Sequence, residues 1–374
     1  MDKKKQKKSF MANGNKRLVL ITGAGGRIGR SIIKRIADQY KVIGFDRSSA
    51  IFYSEDEEII PLDVSNRESM ISTFHNIKLK YGNKIDCVIH LAAYYSFEGD
   101  TSFKKYQKIT VEGTRLLLQL LQSFEVDQFI FSSTMLVHQA TPVGKKIKEE
   151  DPLCPYWNYP KSKIITESVI EEERGTIKQV TIIRMSGIYD DKFHSIPLST
   201  QLQRIMEKQL LALFYPGNRQ HGNPFLHMDD LVNLFCLCME KKETLPPFLI
   251  LLAAEEKTFP YIELHKRMSK AALGYELPLF WVPKFMAKLG SLFLIHSFIK
   301  PFMIDIADLH YDVDISRAKK LLGWEPKKSL DKNLETLVAW AKENKQEFYK
   351  ENGLIVPKKL EKEWGRQDAQ KKSN

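Results

Sequence analysis

The feature that most constrains this chain is a glycine-rich turn set directly behind a short apolar run. Arg17-Leu18-Val19-Leu20-Ile21 leads into Thr22-Gly23-Ala24-Gly25-Gly26-Arg27-Ile28-Gly29. A short apolar run ending at turn residues reads as a strand buried on both faces. Arg27 to Gln39 then places Ile28, Ile32, Ile33 and Ile36 at helical spacing. Glycines between a strand and a helix let the main chain pass close to a pyrophosphate. The helix N-terminus supplies free N–H groups and the positive end of its dipole. The spacing here is Gly-x-x-Gly-x-x-Gly, at Gly23, Gly26 and Gly29, with Arg27 and Ile28 opening the helix.

An acidic residue follows where such a site needs one. Asp46 comes 23 residues after Gly23 and ends the strand-like run Lys41-Val42-Ile43-Gly44-Phe45. Its carboxylate suits the adenosine ribose hydroxyls and repels a 2′-phosphate, so NAD is expected in preference to NADP. Arg47 and Arg27, either of which suits a phosphate, pull the other way. Asp63-Val64 follows a third strand and is expected to edge the adenine.

Further strand-like runs are Ile59–Leu62, Cys87–His90, Phe129–Phe131 and Val180–Ile183, separated by amphipathic stretches such as Val111–Phe124 and Ser162–Glu173. Alternating strand and helix predicts an α/β fold with a doubly wound parallel sheet. The expected organisation is a flexible basic tail over 1–15, a dinucleotide-binding domain over 16–190, a smaller substrate lobe over 191–345 and a polar basic tail over 346–374. A strand near 248–252 is expected to return to the sheet. A ligand would lie in the crevice outside the carboxyl ends of the strands.

The net charge of +11 invites a nucleic-acid or membrane reading, but seven of those charges lie in residues 1–10 and 358–374. No basic face with base-reading or stacking elements is visible, so no nucleic-acid partner is expected. Cys87, Cys154, Cys236 and Cys238 have no metal-ligand spacing, so no metal is expected. Cysteine usage and the lack of a signal-like N-terminus predict a cytoplasmic protein.

Tyr159 and Lys163 are four residues apart, so on a helix both face the same way. An ammonium beside a phenol favours the phenolate and is expected to lower the tyrosine pKa. Lys163 also suits the nicotinamide ribose. Thr134 closes the strand Phe131-Ser132-Ser133-Thr134, and its hydroxyl suits orienting a substrate oxygen. A hydroxyl, a phenol and an ammonium can move a proton while a dinucleotide moves a hydride.

With these residues in view, the chain from about 16 to 345 resembles an extended short-chain dehydrogenase/reductase of the NAD-dependent epimerase/dehydratase superfamily, with a Rossmann-type fold. The resemblance rests on the glycine turn, Asp46, Asp63-Val64, His90-Leu91-Ala92-Ala93, Ser132-Ser133-Thr134 and Tyr159-x-x-x-Lys163. Phe225-Leu226-His227-Met228-Asp229-Asp230-Leu231 and Ala318-Lys319-Lys320-Leu321-Leu322-Gly323-Trp324-Glu325-Pro326 extend it. It implies Thr134, Tyr159 and Lys163 as the catalytic triad, Leu91, Ala92 and Ala93 at the cofactor, and a homodimer through helices around 100–123 and 156–173.

Departures from the family pattern narrow the choice. Met135-Leu136 stand where dehydratases carry Asp-Glu, and neither moves a proton. Gly187 stands where nucleotide-sugar enzymes usually have Asn, and Gly187-Ile188-Tyr189 is similar to the 3β-hydroxysteroid-dehydrogenase-like branch. Asp190, Met185 and Thr110 replace a usual Gly, Pro and Asn. The leading expectation is NAD-dependent oxidoreduction of a secondary alcohol or ketone. An NAD-retaining sugar epimerase and a non-catalytic NAD sensor are the alternatives.

In the second lobe, Phe285, Leu289, Leu292 and Phe293 recur at helical spacing within an apolar region. Packing on the lobe core is the expected role. A lid over an apolar substrate, or a helix on a membrane surface rimmed by Lys284, Lys288 and Lys300, is the other reading. Leu289 to Ile299 is uncharged but too short to span a bilayer. His227 is expected to order the Asp229-Asp230 turn, and His90 to pack or touch cofactor.

Overall fold

A computed structural model describes residues 16–47, 57–96, 102–293, 301–358 and 360–364. The expected basic tail over 1–15, the end of the polar tail beyond 364, Lys300 and part of the Leu289–Ile299 run lie outside the described residues.

Seven parallel strands form one sheet. They are β1 (Arg17–Thr22), β2 (Tyr40–Asp46), β3 (Glu57–Pro61), β4 (Cys87–His90), β5 (Gln128–Thr134), β6 (Gln179–Met185) and β7 (Phe248–Ala253). Their spatial order is β7-β6-β5-β4-β1-β2-β3. The order reverses at β1, with β2 on one side and β4 on the other. This is a doubly wound α/β fold, and the reversal opens a crevice at the carboxyl ends of β1 and β4.

Alternation along β1 explains the two layers of helices. Val19 and Ile21 pack on one face with α1 (Arg27–Ile36) and, further along the chain, α6 (Met228–Glu240). Leu18 and Leu20 pack on the other with α2 (Arg67–Tyr81), α3 (Gly113–Leu121) and α4 (Asn158–Glu173). Both faces are covered, which is why the strands read as continuous apolar runs. The stretch read as one helix from Val111 is in fact a π-helical turn, Tyr106–Glu112, continued by α3.

The second lobe has its own core. It is built by α5 (Ile196–Met206), α7 (Tyr261–Leu273), α11 (Leu330–Glu343) and α12 (Lys345–Glu351). Between α7 and α11 come α8 (Lys284–Phe293), α9 (Pro301–Ala307) and α10 (Ser316–Leu322). β7 stands at the edge of the large sheet, paired in parallel with β6. One expectation is corrected here: the chain after 345 does not start as a polar tail. Phe348 and Tyr349 of α12 are fully buried, and the Tyr349 and Trp364 rings meet edge to face at 5.6 Å. Two aromatic residues three and four positions past the expected boundary outweigh the surrounding charge once an apolar lobe is there to receive them.

Two segments singled out in the sequence meet in space. The Trp324 indole donates to the Asp230 carbonyl at 3.0 Å, and the Asp230 carboxylate accepts the main-chain N–H groups of Lys327 and Lys328. Among the described residues no helix is long and apolar enough to cross a membrane.

Candidate active site

The glycine turn is held by the end of β2. Gly23 and Ala24 N–H donate to the Phe45 carbonyl at 2.8 and 3.1 Å, and Gly25 N–H donates to Asp46 Oδ2 at 3.0 Å. Gly23 has φ +72°, and a Cβ there would sit 3.0 Å from Ala92 N. A Cβ on Gly29 would sit 2.5 Å from the Gly23 carbonyl oxygen. Side chains at either position would thus break the close stacking of turn, helix and β4 loop.

The start of α1 differs from those of α2, α6 and α11. No side chain caps it and its first turn holds no acidic residue. Asn66, His227 and Ser329, by contrast, cap α2, α6 and α11. The N–H groups and dipole at the start of α1, which no side chain caps, fit the pyrophosphate of a dinucleotide. Asp46 is placed at the same turn. Arg47 is exposed beside it. Arg27, next to the turn, donates to the Glu351 carbonyl at the end of α12, and burial lowers its pKa against the pull of Asp190 and Glu351.

Neighbouring strand ends complete this edge. Asp63 accepts from the Ser65 N–H and hydroxyl, both at 2.8 Å; these bonds outweigh its burial and keep its pKa low. Val64 packs beneath the start of α3, where Gly113 leaves room for it. Leu91 and Ala92 N–H donate to the Thr22 carbonyl and hydroxyl, each at 3.1 Å, and Ala93 follows in the same loop. His90 bridges the Thr22 and Thr114 hydroxyls at 2.6 and 2.8 Å. Burial, then the nearby Lys163, pushes its pKa down to about 3, so it is a neutral packing residue rather than an acid or base.

Thr134 ends β5, and Lys163 of α4 reaches the same strand two residues earlier, at Ser132. Thr134 is buried, and its hydroxyl accepts the Leu136 N–H at 3.3 Å. Tyr159 and Lys163 stand one turn apart on α4. Lys163 is buried; its Nζ donates to the Ser132 carbonyl at 2.6 Å and lies 4.5 Å from the centre of the Phe131 ring. Burial draws the Lys163 pKa down to about 7, against the attraction of Glu167.

The phenol departs from expectation. Its pKa is raised, not lowered, by burial and by Tyr106. The ammonium lies 5.8 Å from the centre of the Tyr159 ring and its bond goes to Ser132, so desolvation dominates. Tyr95 meets Tyr159 edge to face at 4.9 Å.

A second layer, which the sequence reading missed, fixes α4. Glu167 accepts from the Ser133 hydroxyl and pairs with Arg184 of β6 at 2.6 Å, both side chains being buried. Arg184 also meets His138 Nε2 at 3.0 Å and the Glu149 carbonyl at 2.9 Å. Burial, then Arg184, pushes His138 down to about 4, so it stays a neutral acceptor. The signal was present in the sequence: Tyr159, Lys163 and Glu167 are spaced i, i+4, i+8. Nothing in the sequence pointed to Tyr95.

Asp191, His227 and Asp229 lie close enough together to suggest a metal site. Their contacts say otherwise. His227 Nδ1 accepts the Asp229 N–H, its Nε2 faces Asp191, and the Lys328 ammonium bridges both aspartates at 2.9 and 2.8 Å. The cluster is an ion network in which the lysine already supplies the cation.

The family model for the NAD dependent epimerase/dehydratase family matches residues 19–251. The chain is 22% identical to a UDP-glucuronate 4-epimerase of Thermodesulfobacterium geofontis, over 87% of this chain and 96% of the relative. It is 21% identical to human 3 beta-hydroxysteroid dehydrogenase type 7, over 88% and 96%. Among solved structures it is similar to the UDP-glucuronic acid 4-epimerase of Bacillus cereus in complex with UDP-glucuronic acid and NAD. The TM-score is 0.68 at 19% identity, covering 87% of this chain and 99% of the other. The uncapped α1, the glycine turn and Asp46 agree with NAD as the cofactor. The chain is an enzyme that belongs to the NAD-dependent epimerase/dehydratase family.

Proposed function

We propose that the protein oxidises a secondary carbinol carbon of a nucleotide sugar and reduces it again with inverted configuration, as an NAD-retaining 4-epimerase. One observation carries this reading. Tyr159 and Lys163 stand one turn apart on α4, and Lys163 bonds the Ser132 carbonyl near the carboxyl end of β5, the end of the sheet that also carries the glycine turn and Asp46. Relatives named as UDP-sugar 4-epimerases favour epimerisation over the net dehydrogenation expected from sequence. The lobe adds a guanidinium suited to an anionic substrate. Arg204 of α5 is partly buried and has no carboxylate within ion-pair distance among the described residues; burial lowers its pKa against the pull of Tyr261.

In this reading Tyr159 takes the substrate hydroxyl proton and later returns it to the ketone oxygen. Thr134 steadies that oxygen. Lys163 holds the ribose and supplies the positive charge that the phenol needs to ionise. The chemistry that bound NAD would supply is reversible hydride acceptance at the nicotinamide. Asp46 takes the adenosine ribose and the α1 N-terminus the pyrophosphate. Pairing of two copies through α3 and α4 belongs to the same reading and is checked by light scattering.

One observation favours a dehydrogenase on a less polar alcohol as second reading. A side chain at Gly187 would meet the Phe225 ring at 3.2 Å, so position 187 itself carries no polar side chain for a sugar. The test is turnover of UDP-glucose and UDP-glucuronic acid with no cofactor added. Appearance of the C4 epimer supports the proposal. NADH accumulation only when NAD and an apolar alcohol such as a sterol are supplied favours the second reading.

A further inference from the structure

Helix α8 presents large apolar side chains to water beside its two lysines. Lys284 and Lys288, one turn apart, are engaged in ion pairs with Asp308 and, at 2.8 Å, with Asp305. Phe285 and Leu289, also one turn apart, have 72% and 55% of their surface in water, and Met286 is exposed beside them. A surface helix of a self-contained globular protein has the opposite arrangement, with its apolar stripe inward. The chain just before the helix adds to this face. Phe280 and Trp281 are 53% and 62% exposed and pair in parallel with Phe214 and Tyr215. Phe214 is itself exposed, its ring 6.1 Å from that of Phe280. A run of large apolar side chains in water marks a surface that meets something apolar.

We propose that this face of the second lobe seats on an anionic lipid bilayer, with α8 lying in the plane of the interface. The length of the helix excludes spanning: its ten residues rise roughly 15 Å, about half the thickness of a hydrocarbon core. The sequence beyond Leu289 carries no charged residue as far as Ile299, which extends the apolar character without reaching a spanning length. Trp281 beside phenylalanines suits the headgroup level, where an amphipathic ring has both an apolar and a polar neighbour.

Charge selects the occupant. The chain carries +11, with seven of those charges in its first ten and last seventeen residues. That charge draws the protein to anionic lipid. Ion pairs of Lys284 with Asp308 and of Lys288 with Asp305 tie α8 to α9 and the residue after it, and leave both lysines part-exposed at the rim of the apolar face. The surface is independent of which alcohol the active site oxidises.

The test is co-sedimentation of the full-length protein with vesicles of phosphatidylcholine alone and of phosphatidylcholine mixed with phosphatidylglycerol. A variant carrying Trp281→Ser, Phe285→Ser and Leu289→Ser is run in parallel. Wild type is expected to bind the mixed vesicles, less so at raised salt, and the variant to bind about tenfold or more weakly at an unchanged thermal midpoint. Brominated lipid in the mixed vesicles is expected to quench wild-type tryptophan fluorescence, a readout that needs no variant. The proposal is overturned if wild type stays in the supernatant with both vesicles, or if brominated lipid quenches nothing. It is equally overturned if the triple variant binds as tightly as wild type, which would assign binding to the charged ends alone. Lipid-free self-association of wild type that the variant abolishes also overturns it, assigning the face to a second copy.

Discussion

Glu167 and Arg184 form a buried ion pair, Oε2 to Nη2 at 2.6 Å, that ties the helix carrying Tyr159 and Lys163 to the sixth strand of the sheet. The pair is fully hydrogen-bonded on both sides, to the Ser133 hydroxyl, His138 and the Glu149 carbonyl. Removing one partner leaves a desolvated charge. Glu167→Ala is therefore expected to lower stability by about 3–5 kcal/mol in urea unfolding, with Glu167→Gln milder. A loss below about 1 kcal/mol would show that the helix is anchored elsewhere.

Tyr159→Phe deletes the proposed acid/base oxygen and little else. Turnover is expected to fall about 10²–10⁴-fold while NADH titration gives an unchanged affinity. A variant with near wild-type turnover would remove Tyr159 from the chemistry.

The buried Lys163 makes stability depend on pH. Its folded pKa is about 7 against an ordinary 10.5, so between those values the unfolded chain binds the extra proton. Stability from this residue is full above the unfolded value, declines as pH falls and is lowest below about 7. Lys163→Met has no such proton. The urea midpoint of wild type is expected to gain on that of the variant as pH is raised from 7 toward 10. A constant gap would place the lysine pKa near its ordinary value.

Gly29→Ala puts a Cβ where it would approach the Gly23 carbonyl oxygen to 2.5 Å and Ala24 Cα to 2.8 Å. The turn has to shift, at a cost of about 1–3 kcal/mol in stability. NADH binding is expected to weaken by about tenfold, because the N–H groups of α1 move with it. Calorimetric titration checks this, and an undisturbed affinity would separate the turn from the cofactor.

Arg204→Met tests the anionic-substrate part of the proposal. A guanidinium that holds a remote phosphate contributes equally in ground and transition states, so KM is expected to rise about tenfold or more at nearly constant kcat. A change in neither constant would place Arg204 outside the substrate site.

The dinucleotide half of the site was legible because it is local. Strand, glycine turn, helix and acidic strand end are contiguous patterns with a fixed geometric consequence, and the structure joins Gly25 to Asp46 as that pattern requires. Glu167 was missed because its partner Arg184 comes from a strand 17 residues on and only the fold brings them together. The raised Tyr159 pKa was missed because spacing tells which way two side chains face and not how dry their surroundings are. The packing of Phe348 and Tyr349 was hidden by the lysines and glutamates around them, which made a docked helix read as a tail.

The measurement that tests the central claim most directly is mass spectrometry and absorbance of nucleotide released from the purified, denatured protein. The account predicts about one NAD per chain, carried through purification, because a cycle that returns its hydride keeps its cofactor. A protein that emerges empty and binds NADH only in reversible titration would contradict the retained-cofactor cycle and turn the reading to an exchanging dehydrogenase.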